Sequence, residues 1–443
     1  MSLLDRIADR SAVVAVIGLG YVGLPLTRVF VGAGFRVLGL DVDAGKIAAL
    51  RSGRMYLSHL GEGFARDLNA TGRFEPTSDA GRLSEADAII IAVPTPLAPG
   101  TFEPDLSYVE QTTEAIARAL RPGQLIVLES TTYPGTTREV VLPRLLAGAK
   151  GKGLTCGRDE GFYLAFSPER EDPGRADYTV KTIPKLVGGV DAPSARVAAA
   201  LYATAIDRVI EVGSAEIAES AKLLENIYRA VNIAMVNELK VIFDRMGINI
   251  WEVIAAASTK PFGFQTFYPG PGLGGHCIPI DPFYLSWKAK QAGAEARFVE
   301  LAGKVNHEMP GYVVERTVEA LRSRGRKIAG ARVLILGLAY KPDIDDVRES
   351  PSFELIEAFS QLGAAVEYHD PHVPRTHRMR RHDLKMTSIE LTATALGEFD
   401  AVVVSTAHSA YDWAMIVGAS RLVIDTRNAT AGVTSGRDRI VLA

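Results

Sequence analysis

The sequence predicts an α/β protein in which two doubly wound parallel sheets are joined by a helical middle. Three observations carry that expectation. Residues 12–17 (AVVAVI) form a short apolar run of strand type, which leads into Gly18-Leu19-Gly20-Tyr21-Val22-Gly23 and a helical stretch. Residues 332–336 (RVLIL) open a second strand–helix–strand series that lacks the spaced glycines. Between them, residues 214–247 hold helical periodicity through Ile217, Leu223, Leu224, Ile227, Val231 and Met235. At 443 residues the chain exceeds one ordinary core. The pattern divides it into a Rossmann-like domain over 1–210, a helical domain over 211–325 and a second Rossmann-like domain over 326–443.

The composition is that of a globular protein, with 47% hydrophobic and 23% charged residues. A formal net charge of −3 gives no reason to expect nucleic acid or an anionic membrane as partner. Two cysteines, Cys156 and Cys277, cannot build a disulfide framework and suit a reducing cytosol. The N-terminus lacks the basic-then-apolar pattern of a signal peptide, and no apolar run reaches the roughly 18 residues of a spanning helix. A cytoplasmic enzyme or binding protein is expected.

The first strand and its glycines predict dinucleotide binding. Gly18 permits a tight turn, Gly20 leaves room for a pyrophosphate, and Gly23 lets helix and strand pack closely. The helix that starts near Tyr21, Val22 and Gly23 offers unpaired N–H groups to phosphates. The next strand, residues 36–40, ends at Asp41. That carboxylate can accept from ribose hydroxyls and would repel a 2′-phosphate, which favours NAD over NADP. Asp43 and Lys46 read as capping and solubilising the following helix.

Further strands are expected at residues 88–93, 125–129 and 162–166. In an open parallel sheet, ligands sit beyond the carboxyl ends of the strands. Thr95, Thr131, Thr132, Glu169 and Arg170 all fall there, and as a set they are expected to line the nicotinamide and sugar site. In the helical middle, Lys222 and Asn226 are four residues apart and share a face. Such a pair can hold a developing oxyanion, although a solvated helix surface is the commoner use of a lysine. A second long helix is expected over 296–324. In the last domain, strands are expected at 332–336, 365–368, 401–404 and 422–424, with a helix from 352 to 361. Lys341 and Arg348 follow its first strand, where they can meet phosphates or carboxylates.

Between the two sheets lies Pro269-Gly270-Pro271-Gly272-Leu273-Gly274-Gly275-His276-Cys277-Ile278-Pro279-Ile280-Asp281. Glycines let this backbone approach a ligand and prolines stiffen it. A thiol on such a loop, next to titratable groups, has the makings of an activated nucleophile.

Together these segments resemble the NDP-sugar 6-dehydrogenases, the family of UDP-glucose and GDP-mannose dehydrogenases. The resemblance rests on GLGYVGLP at 18–25, VPTP at 93–96, ESTTYPGTT at 129–137 and SPER at 167–170. It continues through the Lys222/Asn226 helix, GGHCIPIDP at 274–282 and GLAYKPDIDDVRES at 337–350. SPEREDPG and GGHCIPIDPFYL look closest to the UDP-N-acetylglucosamine 6-dehydrogenases. The UDP-glucose branch carries a second glutamate where this chain has Pro173, so the hydrolytic role given to that glutamate does not transfer.

The resemblance implies oxidation of a C6 alcohol to a carboxylate with two NAD⁺ in succession. Cys277 would form a thiohemiacetal and then a thioester. Lys222 and Asn226 would stabilise oxyanions, and Asp281 would act on water or hold Lys222 charged. Thr131 or Thr132 would position water, and Glu169 would serve hydrolysis. Tyr268, Gly272 and Leu273 match the family's sugar loop, with Arg170 and Lys341 as further substrate contacts. Lys260 would reach a neighbouring subunit's substrate, and Arg348 matches a residue near the cofactor. No metal is implied, and a homodimer or larger assembly is.

UDP-N-acetylglucosamine leads as substrate, ahead of UDP-N-acetylgalactosamine, UDP-N-acetylmannosamine and UDP-glucose. The sequence admits two other readings. A β-hydroxyacid dehydrogenase also pairs a dinucleotide domain with a lysine and an asparagine, but it needs neither thiol nor second sheet. A non-catalytic NAD-binding protein would bind cofactor without turnover.

Overall fold

Consecutive apolar residues in the predicted strands can be buried only if both faces of a sheet are covered. The computed structural model, which describes residues 1–98, 101, 103–171, 178–275, 278–379 and 382–443, has that arrangement. Val14 and Val16 of the first strand join one core with Leu24 and Phe30, while Ala15 and Ile17 join the other with Ile116 and Leu145.

The chain divides into two compact units. The first comprises Met1–Glu225 and Phe283–Glu295, and the second Asn226–Pro282 and Ala296–Ala443. Among the described residues, unit one holds eight strands: β1 (Val13–Ile17), β2 (Arg36–Leu40), β3 (Phe74–Thr77), β4 (Ala88–Ile91), β5 (Gln124–Leu128), β6 (Phe162–Phe166), β7 (Lys185–Gly189) and β8 (Val209–Val212). Their order is β3-β2-β1-β4-β5-β6-β7-β8. β1 pairs with both β2 and β4, so the chain reverses its winding there and opens a crevice at their carboxyl ends. All pairings are parallel except β6 with β7. The sequence pattern missed β3, β7 and β8. β3 carries a proline within four residues, and β8 is only partly buried, so neither shows a plain apolar run.

Unit two holds a parallel sheet of β9 (Arg332–Leu336), β10 (Ala365–His369), β11 (Ala401–Val404), β12 (Val423–Asp425) and β13 (Ile440–Leu442), ordered β10-β9-β11-β12-β13. The helix Arg297–Ser323 packs on the helix Pro351–Gln361 and on β11. The helix Ala215–Arg245 spans 31 residues and gives its first turns to unit one and the remainder to unit two. Among the described residues, no helix is long and apolar enough to cross a membrane.

Candidate active site

Backbone geometry sets the loop after β1. Gly18 lies at φ +94°, in the region that side chains rarely adopt. A side chain at Gly23 would strike the Gly18 carbonyl, so the helix Gly23–Gly32 needs glycine to start this close to the strand. A Cβ at Gly20 would project into open space, the room a pyrophosphate takes against the backbone. Val22 precedes the helix, and the Tyr21 ring stacks on His59 at 4.9 Å.

Asp41 is buried just beyond β2. Its carboxylate accepts from the Leu19 N–H at 2.9 Å, the Asp43 N–H at 2.9 Å and the Lys46 ammonium at 3.0 Å. The acid assigned to the ribose therefore also ties the glycine loop to β2. Asp43 caps the helix Ala44–Arg51, as expected. The open space at Gly20 and the bonded acid at Asp41 fit NAD.

The ends of β4, β5 and β6 bring the next group together. Ser130 donates to the Val93 carbonyl at 2.7 Å and joins two of these ends. Thr95 is buried, and its carbonyl accepts from the Tyr284 hydroxyl. Thr131 is half-buried. Thr132 is buried, and its hydroxyl has no hydrogen-bond partner among the described residues. An unsatisfied buried hydroxyl is costly, so this one is poised for a ligand or water.

Sequence reasoning missed the residue that holds this loop. Glu219, on the helix Ala215–Arg245, is fully buried. Its carboxylate accepts from the Gly135 N–H at 2.6 Å, the Thr137 N–H at 2.9 Å and the Thr137 hydroxyl at 2.6 Å. Burial pushes its pKa up to about 7 despite those bonds. The available signal was its spacing, since Glu219, Lys222 and Asn226 follow an i, i+3, i+7 pattern on one helix face.

Glu169 follows β6. It accepts from its neighbours' N–H groups, Arg170 at 2.7 Å and Glu171 at 2.6 Å, and from the Lys185 ammonium at 3.2 Å. Burial opposes its charge. The Lys185 ammonium, the Glu171 N–H and the Lys222 charge outweigh that and hold the carboxyl below its usual range. Arg170, expected to meet substrate, has its guanidinium on Glu225 at 2.6 Å and on the Pro184 carbonyl at 2.9 Å. Lys222 is buried. Cys156 is inert, because burial and the Asp191 charge push its thiol up to about 12.

In unit two, Asn226 and Asp281 are both buried, and the Asn226 amide donates to Asp281 at 2.6 Å. The glycine-rich segment is fixed from several sides. The Gly270 N–H donates to Asn237 at 3.0 Å, and Asn237 donates to Asn306 at 2.9 Å. Gly272 sits at φ +141° beside Pro351. The Tyr340 ring lies where side chains at Gly274 and Gly275 would go. The Gly275 N–H donates to the Arg348 carbonyl at 3.0 Å. His276 and Cys277 lie outside the described residues. They sit in the chain between Gly275 and Asp281, both of which are anchored.

Leu273 is half-buried in this segment, and Tyr268 is exposed with its ring stacked on Trp251 at 5.7 Å. Lys260 is exposed, its ammonium 5.1 Å from the Phe262 ring centre. Arg348 grips Asp346 through two nitrogens, at 2.9 Å and 2.6 Å. Lys341 is half-buried beyond β9.

Asp370, beyond β10, repeats the arrangement of Asp41. It accepts from the Leu338 and Ala339 N–H groups at 2.6 Å and 2.9 Å and from His408 at 3.0 Å. Burial notwithstanding, His408 and the Ala339 and His372 N–H groups bring it down to about 2. Asp343, His372 and His408 lie close enough to suggest a metal. However, His408 Nδ1 accepts from the Asp343 N–H at 3.0 Å and its Nε2 faces Asp370, so neither ring nitrogen is available as a ligand.

Comparison with known proteins places these geometries in context. Residues 12–206 match the NAD binding domain of the UDP-glucose/GDP-mannose dehydrogenase family, 216–308 its central domain and 334–432 its UDP binding domain. UDP-N-acetyl-D-glucosamine 6-dehydrogenase of Pseudomonas aeruginosa is 35% identical over 399 residues, covering 90% of this chain and 91% of that protein. The structure of UDP-D-ManNAc dehydrogenase from Pyrococcus horikoshii superposes with a TM-score of 0.84 at 31% identity, covering 94% of this chain and 96% of that one. That of NDP-N-acetyl-D-galactosaminuronic acid dehydrogenase from Methanosarcina mazei gives 0.77 at 32% identity, covering 97% and 94%.

Proposed function

The chain belongs to the UDP-glucose/GDP-mannose dehydrogenase family and is an NAD-dependent nucleotide-sugar dehydrogenase, and we propose that it oxidises the C6 hydroxyl of UDP-N-acetyl-D-glucosamine to a carboxylate. The overall change takes one alcohol, one water and two NAD⁺ to one carboxylate, two NADH and three protons. Bound NAD⁺ supplies the hydride acceptor in both oxidations.

The chain's own residues do the rest. The Cys277 thiolate adds to the C6 aldehyde, forming a carbon–sulfur bond and an oxyanion. Asn226 and Lys222 donate to that oxyanion and to its counterpart during hydrolysis. Asp281 holds the Asn226 amide in its donating orientation. Thr131 positions the attacking water, and Glu169, kept ionised, orients it or takes its proton. The second oxidation leaves the carbon as a thioester on Cys277, and its hydrolysis breaks the carbon–sulfur bond, releases the carboxylate and returns the thiol. Arg170, Lys260, Tyr268, Gly272, Leu273 and Lys341 are assigned to substrate. Gly18, Gly20, Tyr21, Val22, Gly23, Asp41, Thr95, Thr132 and Arg348 are assigned to cofactor.

One observation carries the reading: the described residues that flank Cys277 in the chain are held, Gly275 through its N–H on the Arg348 carbonyl and Asp281 through the Asn226 amide. Anchoring of that kind suits a nucleophile that must hold a substrate carbon in place. The aminosugar preference is supported by the names of the relatives, which act on acetamido sugars. The reading includes a cytoplasmic location and a homodimer or larger assembly. The assembly is supported by the exposed apolar series Tyr228, Met235, Ile242 and Met246, spaced by seven, seven and four along one helix face and its end.

The test is an NADH assay across UDP-N-acetylglucosamine, UDP-N-acetylgalactosamine, UDP-N-acetylmannosamine and UDP-glucose. The highest kcat/KM is expected for the first. A higher value for any other sugar overturns the substrate assignment.

A further inference from the structure

We propose that Lys185 is a positioning residue that fixes the orientation and charge of Glu169 for thioester hydrolysis. The proposal rests on the reading of Glu169 given above and adds to it a residue outside every recognised motif.

The topology explains why a strand-opening lysine is there at all. Lys185 is the first residue of β7, which runs antiparallel to β6. In a wholly parallel sheet, the first residue of a strand lies at the edge opposite the ligand crevice. The reversal instead brings Lys185 to the carboxyl edge, where Glu129 leaves β5 and Glu169 follows β6.

The lysine is 3% exposed. Its ammonium contacts Glu129 at 3.0 Å and Glu169 at 3.2 Å, and it lies 5.3 Å from the Tyr202 ring centre. A buried ammonium needs one carboxylate for neutrality. Here there are two, and their surroundings separate them. Glu129 is fully enclosed and accepts from the Tyr202 hydroxyl, and burial raises its pKa. Glu169 receives two N–H bonds as well as the ammonium and stays ionised. Among the described residues, the charged and titratable groups around Glu169 are Lys185 from β7, Glu129 just past β5, Tyr202 from the helix Ala192–Ala203, Lys222 from the helix Ala215–Arg245, and Arg170, whose guanidinium is turned to Glu225. Lys185 is the one cation among them bonded directly to Glu169.

The experiment compares Lys185→Met, Lys185→Arg and Glu169→Gln with UDP-N-acetylglucosamine and NAD⁺, reading kcat and KM against pH and intact mass during turnover. Lys185→Met is expected to lose about 10²-fold in kcat near pH 6 and to recover as pH rises, because Glu169 then protonates within the assay range. KM for NAD⁺ is expected to stay constant, a sugar adduct on the protein to accumulate, and Lys185→Arg to restore the wild-type profile. Should Lys185→Met not fold, Glu129→Gln/Lys185→Gln removes a carboxylate with the ammonium and is expected to give the same pH profile. A loss equal at every pH, or no loss while Glu169→Gln slows hydrolysis, overturns the role of Lys185 and leaves that of Glu169 standing. Wild-type hydrolysis in Glu169→Gln overturns both.

Discussion

The Asn226 amide donates to the Asp281 carboxylate at 2.6 Å, while its carbonyl oxygen accepts from the Arg229 guanidinium. Those two bonds fix which way the amide faces and leave one N–H for a reacting oxygen. Asn226→Ala is therefore expected to lower kcat by about 10²–10³ with a small change in KM, the loss seen when one oxyanion donor is removed. Steady-state kinetics on folded protein check it. A change confined to KM would mean that Asn226 binds substrate without stabilising an oxyanion.

Asp41 serves the cofactor and the fold together. Asp41→Ala leaves the buried Leu19 N–H without its partner, at a cost of about 1–3 kcal/mol. The variant is expected to show a raised KM for NAD⁺, a narrower preference over NADP⁺ and a lower urea midpoint. An unchanged cofactor preference would contradict the ribose role.

Glu219 predicts a stability effect with a definite sign. Its pKa rises on folding from about 4.5 to about 7, so the folded state binds the proton more tightly. Stability from this group is thus fully present below the lower value and is lost as pH rises to the upper one. The shift corresponds to about 3 kcal/mol at most. Glu219→Gln lacks the titration, so its stability relative to wild type is expected to improve between pH 5 and pH 8. Urea unfolding at the two pH values measures this, and a constant difference would show that Glu219 does not titrate there.

These cases also show which features the sequence revealed. The glycine loop, Asp41, Thr132 and the thiol segment are local, because each motif needs its residues close together in the chain. Strands such as β1, β4, β6 and β9 were evident because burial on both faces demands unbroken apolar runs. The reversal at β7 left no such trace, since strand direction is set by pairing between distant segments. Glu129, Lys185 and Glu219 were hidden for the same reason. Each is a charged residue whose partner lies tens of positions away, and in isolation such residues read as solvent-facing. Arg170 stood in a motif but its guanidinium is bound to Glu225, a partner no local pattern shows.

The exposed series Tyr228, Met235, Ile242 and Met246 predicts association. Light scattering is expected to give twice the 47.6 kDa chain mass or a higher multiple. Met235→Glu/Ile242→Glu is expected to shift the protein toward monomer, since each charge would have to be buried at the contact. A monomeric wild type at micromolar concentration would contradict the proposed assembly.

Intact mass spectrometry during slow turnover tests the covalent step most directly, using UDP-N-acetylglucosamine, NAD⁺ and the Glu169→Gln variant. A sugar adduct that maps to Cys277 and is absent from Cys277→Ser is the predicted result. Accumulation of free aldehyde with Cys277 unmodified would contradict it.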